Sequence, residues 1–381
     1  MTVILNVMDN PRAFWVVNSL FVFALSVFCA GVLIPQILLI SFRKRLFDVP
    51  DERKIHQGVV PRLGGIAFKP VVFFSVALAL GLSMLLGYSQ LLGNIGSESR
   101  PLAFGFCTIM MLYLVGMADD LIGIRYRAKF AIQIICGLLV IAGGLWINNL
   151  HGLLFIHALP EWIGYPITVF AVVFIINAIN LIDGIDGLAS GLCGVAMLFY
   201  GLVFFIIGEY IYALLAFATL GVLVPFFYYN VFGDPAKKNK IFMGDTGSLT
   251  IGMMTCILSL KLLDGFPVNP SMQQPNAFFL AYSPLIIPCF DVVRVYLHRV
   301  RNGKNPFLPD KNHIHHKMLA VGMRQRTVMI AIVLVSVCFT LCNILLSRYI
   351  NVTLLLILDI FIWTLGNLWL TRRIHITHSK L

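Results

Sequence analysis

The chain has 381 residues, of which 59% are hydrophobic and only 12% charged, against about 45–50% apolar in an ordinary soluble domain. That excludes a soluble enzyme or binding module and leaves an integral membrane protein. A formal net charge of +11 would suit a nucleic-acid binder, but the basic residues lie in short loops and form no single face or tail, so no nucleic-acid partner is expected.

The first apolar run, from about Val16 to Ile40, is too long for a signal-peptide core and has no small-residue cleavage site, which predicts a retained spanning helix. A span needs about 20 apolar residues. Runs of that kind centre near residues 28, 77, 110, 138, 171, 198, 220, 256, 286, 338 and 360. The expectation is therefore an all-α polytopic membrane protein with eleven transmembrane helices, forming one domain over residues 1–381. The short connections at Gly208 to Tyr210 and Ser347 to Tyr349 suit antiparallel helix hairpins. All eight cysteines lie inside apolar segments and read as reduced core residues.

Lysine and arginine bias sets the orientation. Arg12, Arg100 and Arg348 occupy the loops of one side, Lys69, Lys261 and Arg294 fall within spans, and the rest of the 28 basic residues belong to the other side. This predicts an N-terminus outside and a C-terminus in the cytoplasm, which requires an odd number of spans.

With sides assigned, the acidic residues gather on the inner face: Asp119 and Asp120, Asp183 and Asp186, and Asp245, each near a helix end and a glycine. Magnesium is typically held by one or two carboxylates and completed by phosphates and water, and a divalent ion would relieve their repulsion. Asp183 and Asp186 are three residues apart, so on a helical turn they share a face. The plainer alternative is helix capping by Asp186 and Asp245.

The segment Phe242 to Ser248 opens an apolar helix after the basic stretch Lys237 to Lys240. Its glycines and free N–H groups suit a phosphate-binding turn, although it lacks the spacing of a nucleotide P-loop. In the last long inner loop His313, His315 and His316 leave three readings open: a zinc site, contacts to an anion or sugar, or a solvated loop. The first inner loop places Arg53, Lys54 and His56 between prolines and a glycine pair, which reads as a shaped loop. Arg43 to Arg45 suit lipid headgroups equally well. Asp291 and Arg294, three apart in one span, read as a structural pair, and Asp359 as a helix-packing hydrogen bond.

Together and in order, the Arg53-Lys54-x-His56 loop, Asp119-Asp120, the stretch from Asn177 through Asn180, Asp183 and Asp186 to Leu188, Asn230 followed by Pro235, the Phe242 to Ser248 segment and His313-Ile-His315-His316 resemble the polyprenyl-phosphate N-acetylhexosamine-1-phosphate transferase family. The resemblance covers nearly the whole chain, and the His-x-His-His spacing is similar to the branch that uses UDP-N-acetylglucosamine. One departure is Gly123, where the family often has a further Asp or Asn.

The resemblance implies transfer of a sugar 1-phosphate from a UDP-sugar to undecaprenyl phosphate, with release of UMP, at the bacterial inner membrane and with the active site on its cytoplasmic face. It implies Mg2+, with Mn2+ as a substitute, held first by Asp245 and organised by Asp119 and Asp120. Asp186 and the three histidines join the catalytic set. Arg53, Lys54, His56 and Lys129 would meet phosphates, Asn180, Asp183 and Phe242 would face the uridine, and Asn230 would support the metal loop. Two other readings stand beside this one, a phospho-MurNAc-pentapeptide translocase-like activity and, from a different class, a secondary transporter. Transporter sites favour interrupted helices at the membrane midplane; here the acids sit at helix ends. The oligomeric state stays open between monomer and homodimer.

Overall fold

The computed structural model describes residues 10–46, 60–88, 92, 96, 98–265, 275–305 and 312–378. Among them the regular structure is helical, with one isolated bridge between Asn149 and Ala158. In chain order the helices are α1 (Pro11–Lys44), α2 (Phe68–Leu85), α3 (Ser99–Ile122), α4 (Tyr126–Ala142), α5 (Glu161–Ile182), α6 (Leu188–Ile207) and α7 (Tyr210–Val231). There follow α8 (Gly244–Leu263), α9 (Ala277–Tyr282), α10 (Ile286–Arg301), α11 (Ile314–Ala320), α12 (Gln325–Leu346) and α13 (Val352–His378).

Ten helical stretches among the described residues are long and apolar enough to cross a membrane, with α9 and α10 counted as one. The chain is a multi-pass membrane protein. The run expected near residue 138 is helical too, but α4 has 17 residues and its first turns carry Arg127 and Lys129, so its apolar length is at the lower limit for a span.

Helix α8 is the axis of the bundle: 94% of its apolar stretch is buried, against 22% for α13 at the periphery. Its sequence explains this, because it is apolar or small on every side, the pattern of a helix surrounded by others. Helices α3 and α5 flank it, while α1 lies along α7 and α7 along α6. The α6–α7 connection is the tight hairpin expected, closed by Gly208 at φ +89°. One continuous apolar core joins almost all of these helices, and a small cluster of Phe279, Val352 and Leu355 ties α9 to the start of α13.

Candidate functional site

The C-terminal ends of α3 and α5 and the N-terminal end of α8 meet at one end of the bundle, and this brings Asp119, Asp120, Asn180, Asp183 and Asp245 together. The start of α8 is built first. Its N-cap, Met243, offers no side-chain acceptor. Asp120 arrives from α3 instead: one oxygen accepts the Asp245 N–H at 2.8 Å, and the other accepts the Thr246 N–H at 2.8 Å and its hydroxyl at 2.6 Å. The capping carboxylate of α8 is thus Asp120, supplied by another helix, and the Asp245 side chain is left for other partners. Gly244 makes the approach feasible: its φ is +70°, and a Cβ there would strike the Arg62 carbonyl and the Asp120 carboxylate. The preceding segment is laced to residues 61–65 through Phe242 N–H to Pro61 O (2.8 Å), Gly64 N–H to Phe242 O (3.0 Å) and Gly65 N–H to Met243 O (2.9 Å).

Lys129, one turn into α4, donates to Asp245 at 2.6 Å and to Asp119 at 2.9 Å. Asp119 also accepts the Ile124 N–H at 2.6 Å, which closes the turn between α3 and α4. Asn180 donates to Asp245 at 3.2 Å and to the Ser248 hydroxyl at 2.7 Å. One turn deeper, Asn177 and Gln133 exchange hydrogen bonds, the shorter at 2.6 Å. The pairs Lys129/Gln133 and Asn177/Asn180 are each three or four residues apart, so α4 and α5 present a polar ladder to one another.

Asp183 and Asp186 do not share a helical turn. Helix α5 stops at Ile182, Asp183 is its C-cap, and Gly187, at φ +78°, bends the link before α6. Asp186 pairs with Lys240 at 2.5 Å. Asp183 opens to solvent at the surface of this end. The surrounding protein, then the carboxylates of Asp186 and Asp245, raise its carboxyl pKa above the ordinary carboxylate value, with Arg62 opposing and Asp120 adding. Water that reaches the side chain softens the first cause and leaves the charge repulsion. Asn230 is buried and joins the two loops: its Oδ1 accepts the Gly187 N–H at 2.7 Å, and its Nδ2 donates to Ile241 O at 2.9 Å. Phe242 is half-buried, with the Lys240 ammonium 5.9 Å from its ring centre.

The histidine loop joins this end through α11. His313 stacks parallel on His315 with centroids 5.7 Å apart, and His315 lies 4.2 Å from His316. The His315 ring is buried against Gly184, where a Cβ would collide with it. Among the described residues neither ring nitrogen has a hydrogen-bond partner. Burial, then the nearby His316, hold its pKa down to about 3, so the ring is neutral. The expected Asp291–Arg294 pair is present at 2.8 Å, and Asn343 donates to Asp359 at 2.9 Å between α12 and α13. Arg53, Lys54 and His56 lie outside the described residues.

Among the described residues no group of three or more His, Cys, Asp or Glu side chains is arranged to hold a metal by itself. The donor set nevertheless suits a hard cation. Asp119 and Asp245 direct oxygens at one point, now taken by the Lys129 ammonium, and Asp183 stands within electrostatic reach of Asp245. Magnesium needs only one or two such carboxylates when a substrate brings phosphate oxygens.

Sequence reasoning did not single out Lys240, Ser248 or Gln133. Lys240 is one of three lysines in four residues, and only its burial distinguishes it. Gln133 carried a readable signal, since a polar side chain within an apolar run, four residues after Lys129, implies a partner.

An acidic, lysine-bridged floor at one end of an apolar bundle suits work on cations and anionic groups at a membrane surface. Residues 102–263 match Glycosyl transferase family 4, and the chain belongs to that family. It is 30% identical over 318 residues to an undecaprenyl-phosphate alpha-N-acetylglucosaminyl 1-phosphate transferase of Yersinia pestis, covering 81% of this chain and 79% of that protein. A probable undecaprenyl-phosphate N-acetylglucosaminyl 1-phosphate transferase of Bacillus subtilis (strain 168) is 30% identical over 347 residues, covering 89% and 88%. The Escherichia coli (strain K12) protein bearing the same description as that of Yersinia is 30% identical over 300 residues, covering 76% and 74%.

Proposed function

We propose that the chain transfers N-acetylglucosamine 1-phosphate from UDP-N-acetylglucosamine to undecaprenyl phosphate and releases UMP, on the cytoplasmic face of a bacterial inner membrane. The observation that carries this reading is the convergence of Asp119, Lys129, Asn180 and Asp245 at one end of the bundle, in a chain whose relatives are described as acting on undecaprenyl phosphate. The lipid phosphate oxygen attacks the sugar-bearing phosphorus in line, a new P–O bond forms, and the bond to UMP breaks with its electron pair leaving on UMP.

Asp245 and Asp119 would hold Mg2+, with Mn2+ as a substitute, and the ion when bound supplies charge neutralisation at the diphosphate. Asp120 holds the start of α8, and with it Asp245, in place. Lys129 keeps the two carboxylates from repelling one another before substrate arrives and then faces the phosphates. A phosphate monoester ionises a second time near pH ~6, so at neutral pH the nucleophile is already mostly a dianion and a general base adds little. Asn180, Asp183 and Phe242 form the nucleoside side of the site, and Asp186 with Lys240 fixes the link beneath it. His313 and His316 meet the donor's anionic or hydroxyl groups, Arg53, Lys54 and His56 add positive charge from the first loop, and Asn230 ties the loops together. Helix α4 is the eleventh span in this reading, with the N-terminus outside.

The donor is tested by offering purified protein UDP-N-acetylglucosamine, UDP-N-acetylgalactosamine and UDP-MurNAc-pentapeptide at equal concentrations with undecaprenyl phosphate. Preferential incorporation of N-acetylglucosamine into organic-extractable lipid supports the assignment, and preference for the pentapeptide donor would move the chain to the translocase reading.

A further inference from the structure

Asp291, wholly buried in α10, takes no part in the chemistry set out above, yet three donors from three directions converge on its two oxygens. Oδ1 accepts the Ile314 N–H at 2.9 Å and the Arg294 guanidinium at 2.8 Å, and Oδ2 meets His313 Nδ1 at 2.8 Å. Arg294 also donates to the Asn312 carbonyl, so the acid and its counter-ion hold both sides of the entry to α11. A carboxylate paired with a guanidinium accepts hydrogen bonds and does not donate them. Nδ1 of His313 must therefore carry the proton, and Nε2 is the nitrogen left for other work. The ring is fixed further by its parallel stack on His315, which rests on Gly184 in the link that carries Asp183 and Asp186.

We propose that Asp291 is the positioning residue of His313, setting its tautomer and ring orientation so that Nε2 is presented to the donor substrate. This rests on the function proposed above for the presentation of Nε2, but not for the tautomer. The sequence suggests only an ion pair with Arg294; the structure adds a histidine 22 positions along the chain. In the neutral ring Nε2 accepts a hydrogen bond from a substrate hydroxyl. A proton arriving there makes a cation that faces phosphate and is balanced by Asp291 from behind.

Asparagine at position 291 makes a definite demand. It has one acceptor oxygen, and Ile314 N–H and Arg294 both require it, so its NH2 group turns toward His313 and forces the proton from Nδ1 to Nε2. An orienting aspartate changed to asparagine has this consequence in serine-protease triads, where the wrong tautomer lowers kcat by about 10⁴.

The experiment is nitrogen NMR of full-length 15N-histidine-labelled protein, with the His313 signals identified by their loss in His313→Gln, together with kcat/KM for wild type, Asp291→Asn, His313→Gln and the double variant. The expected results are an Nδ1–H ring in wild type and an Nε2–H ring in Asp291→Asn. We further expect a loss of about tenfold or more in kcat/KM for Asp291→Asn, and a double variant within about twofold of His313→Gln alone, since a residue acting through His313 has nothing left to position. A wild-type ring protonated on Nε2 and bare at Nδ1 overturns the proposal whether or not Asp291→Asn folds. So does a double variant much worse than His313→Gln, which would mark Asp291 as an anchor of α11 alone. Full activity in His313→Gln would count against the site assigned to the donor, while the tautomer measurement still decides the role of Asp291.

Discussion

At the scale of single residues the site depends on carboxylates that differ in what they touch. Asp120 gives both oxygens to the start of α8, whereas the Asp245 side chain accepts from Lys129 and Asn180 and is the acid best placed to bind a cation. Asp245→Asn is expected to lower kcat by at least about 100-fold, because a bound metal contributes several kcal/mol, with little change in melting temperature. Steady-state rates beside thermal melts in detergent check this, and a folded variant with near wild-type turnover sinks the assignment. His315 gives a prediction on pH. Its folded pKa is about 3 against an ordinary value near ~6.5, so between those values the unfolded chain binds the extra proton, and stability falls as pH falls through that window while staying flat above it. His315→Phe keeps a ring of similar size, loses no hydrogen bond, and should show a weaker decline in melting temperature than wild type between pH 7 and 5. Equal slopes would mean that the ring is charged or exposed in the fold. The acids themselves were legible in the sequence because carboxylates beside glycines at span ends are costly without a purpose. Which of them caps and which is left open was not, since the cap of α8 comes from a residue 125 positions away.

At the scale of elements, two loops and three helix ends are assembled by a few polar ties. Asn230 is the clearest, joining the Asp186 link to the Phe242 loop through one donor and one acceptor. Asn230→Ala leaves a buried N–H and a buried C=O without partners, at a cost of about 1–3 kcal/mol, and is expected to lower both melting temperature and activity without altering the donor preferred. An Asn230→Ala protein as stable as wild type would show that the two loops are held by their other contacts. Hydropathy made α1, α5 and α12 readable directly, because their apolar runs are long and unbroken. It could not show that α8 is central, since burial among protein and exposure to lipid favour the same apolar residues. Nor did spacing alone reveal that Asp183 and Asp186 flank a bend, where Gly187 in a left-handed conformation overrides the helical reading.

At the scale of the whole molecule, Asp119, Lys129, Asn180 and Asp245 lie together at one end of the bundle, and in this account the lipid's phosphate reaches them from that side of the membrane. In the function proposed above that end faces the cytoplasm, the side the charge bias favours. An alkaline phosphatase reporter inserted in the 148–159 link, beyond α4, is therefore expected to be active, and a green fluorescent protein at the C-terminus to fluoresce. An inactive phosphatase reporter there would remove α4 from the set of spans. The central claim is that the bond broken lies within the diphosphate and not between sugar and phosphate. Purified protein supplied with undecaprenyl phosphate, Mg2+ and UDP-N-acetylglucosamine, labelled with tritium in the sugar and with 32P at the sugar-bearing phosphorus, tests it directly. The account predicts that both labels enter the organic phase in equal amounts, that unlabelled UMP appears in step with them, and that EDTA suppresses all three. Tritium entering the lipid without 32P, with labelled UDP left behind, would contradict it.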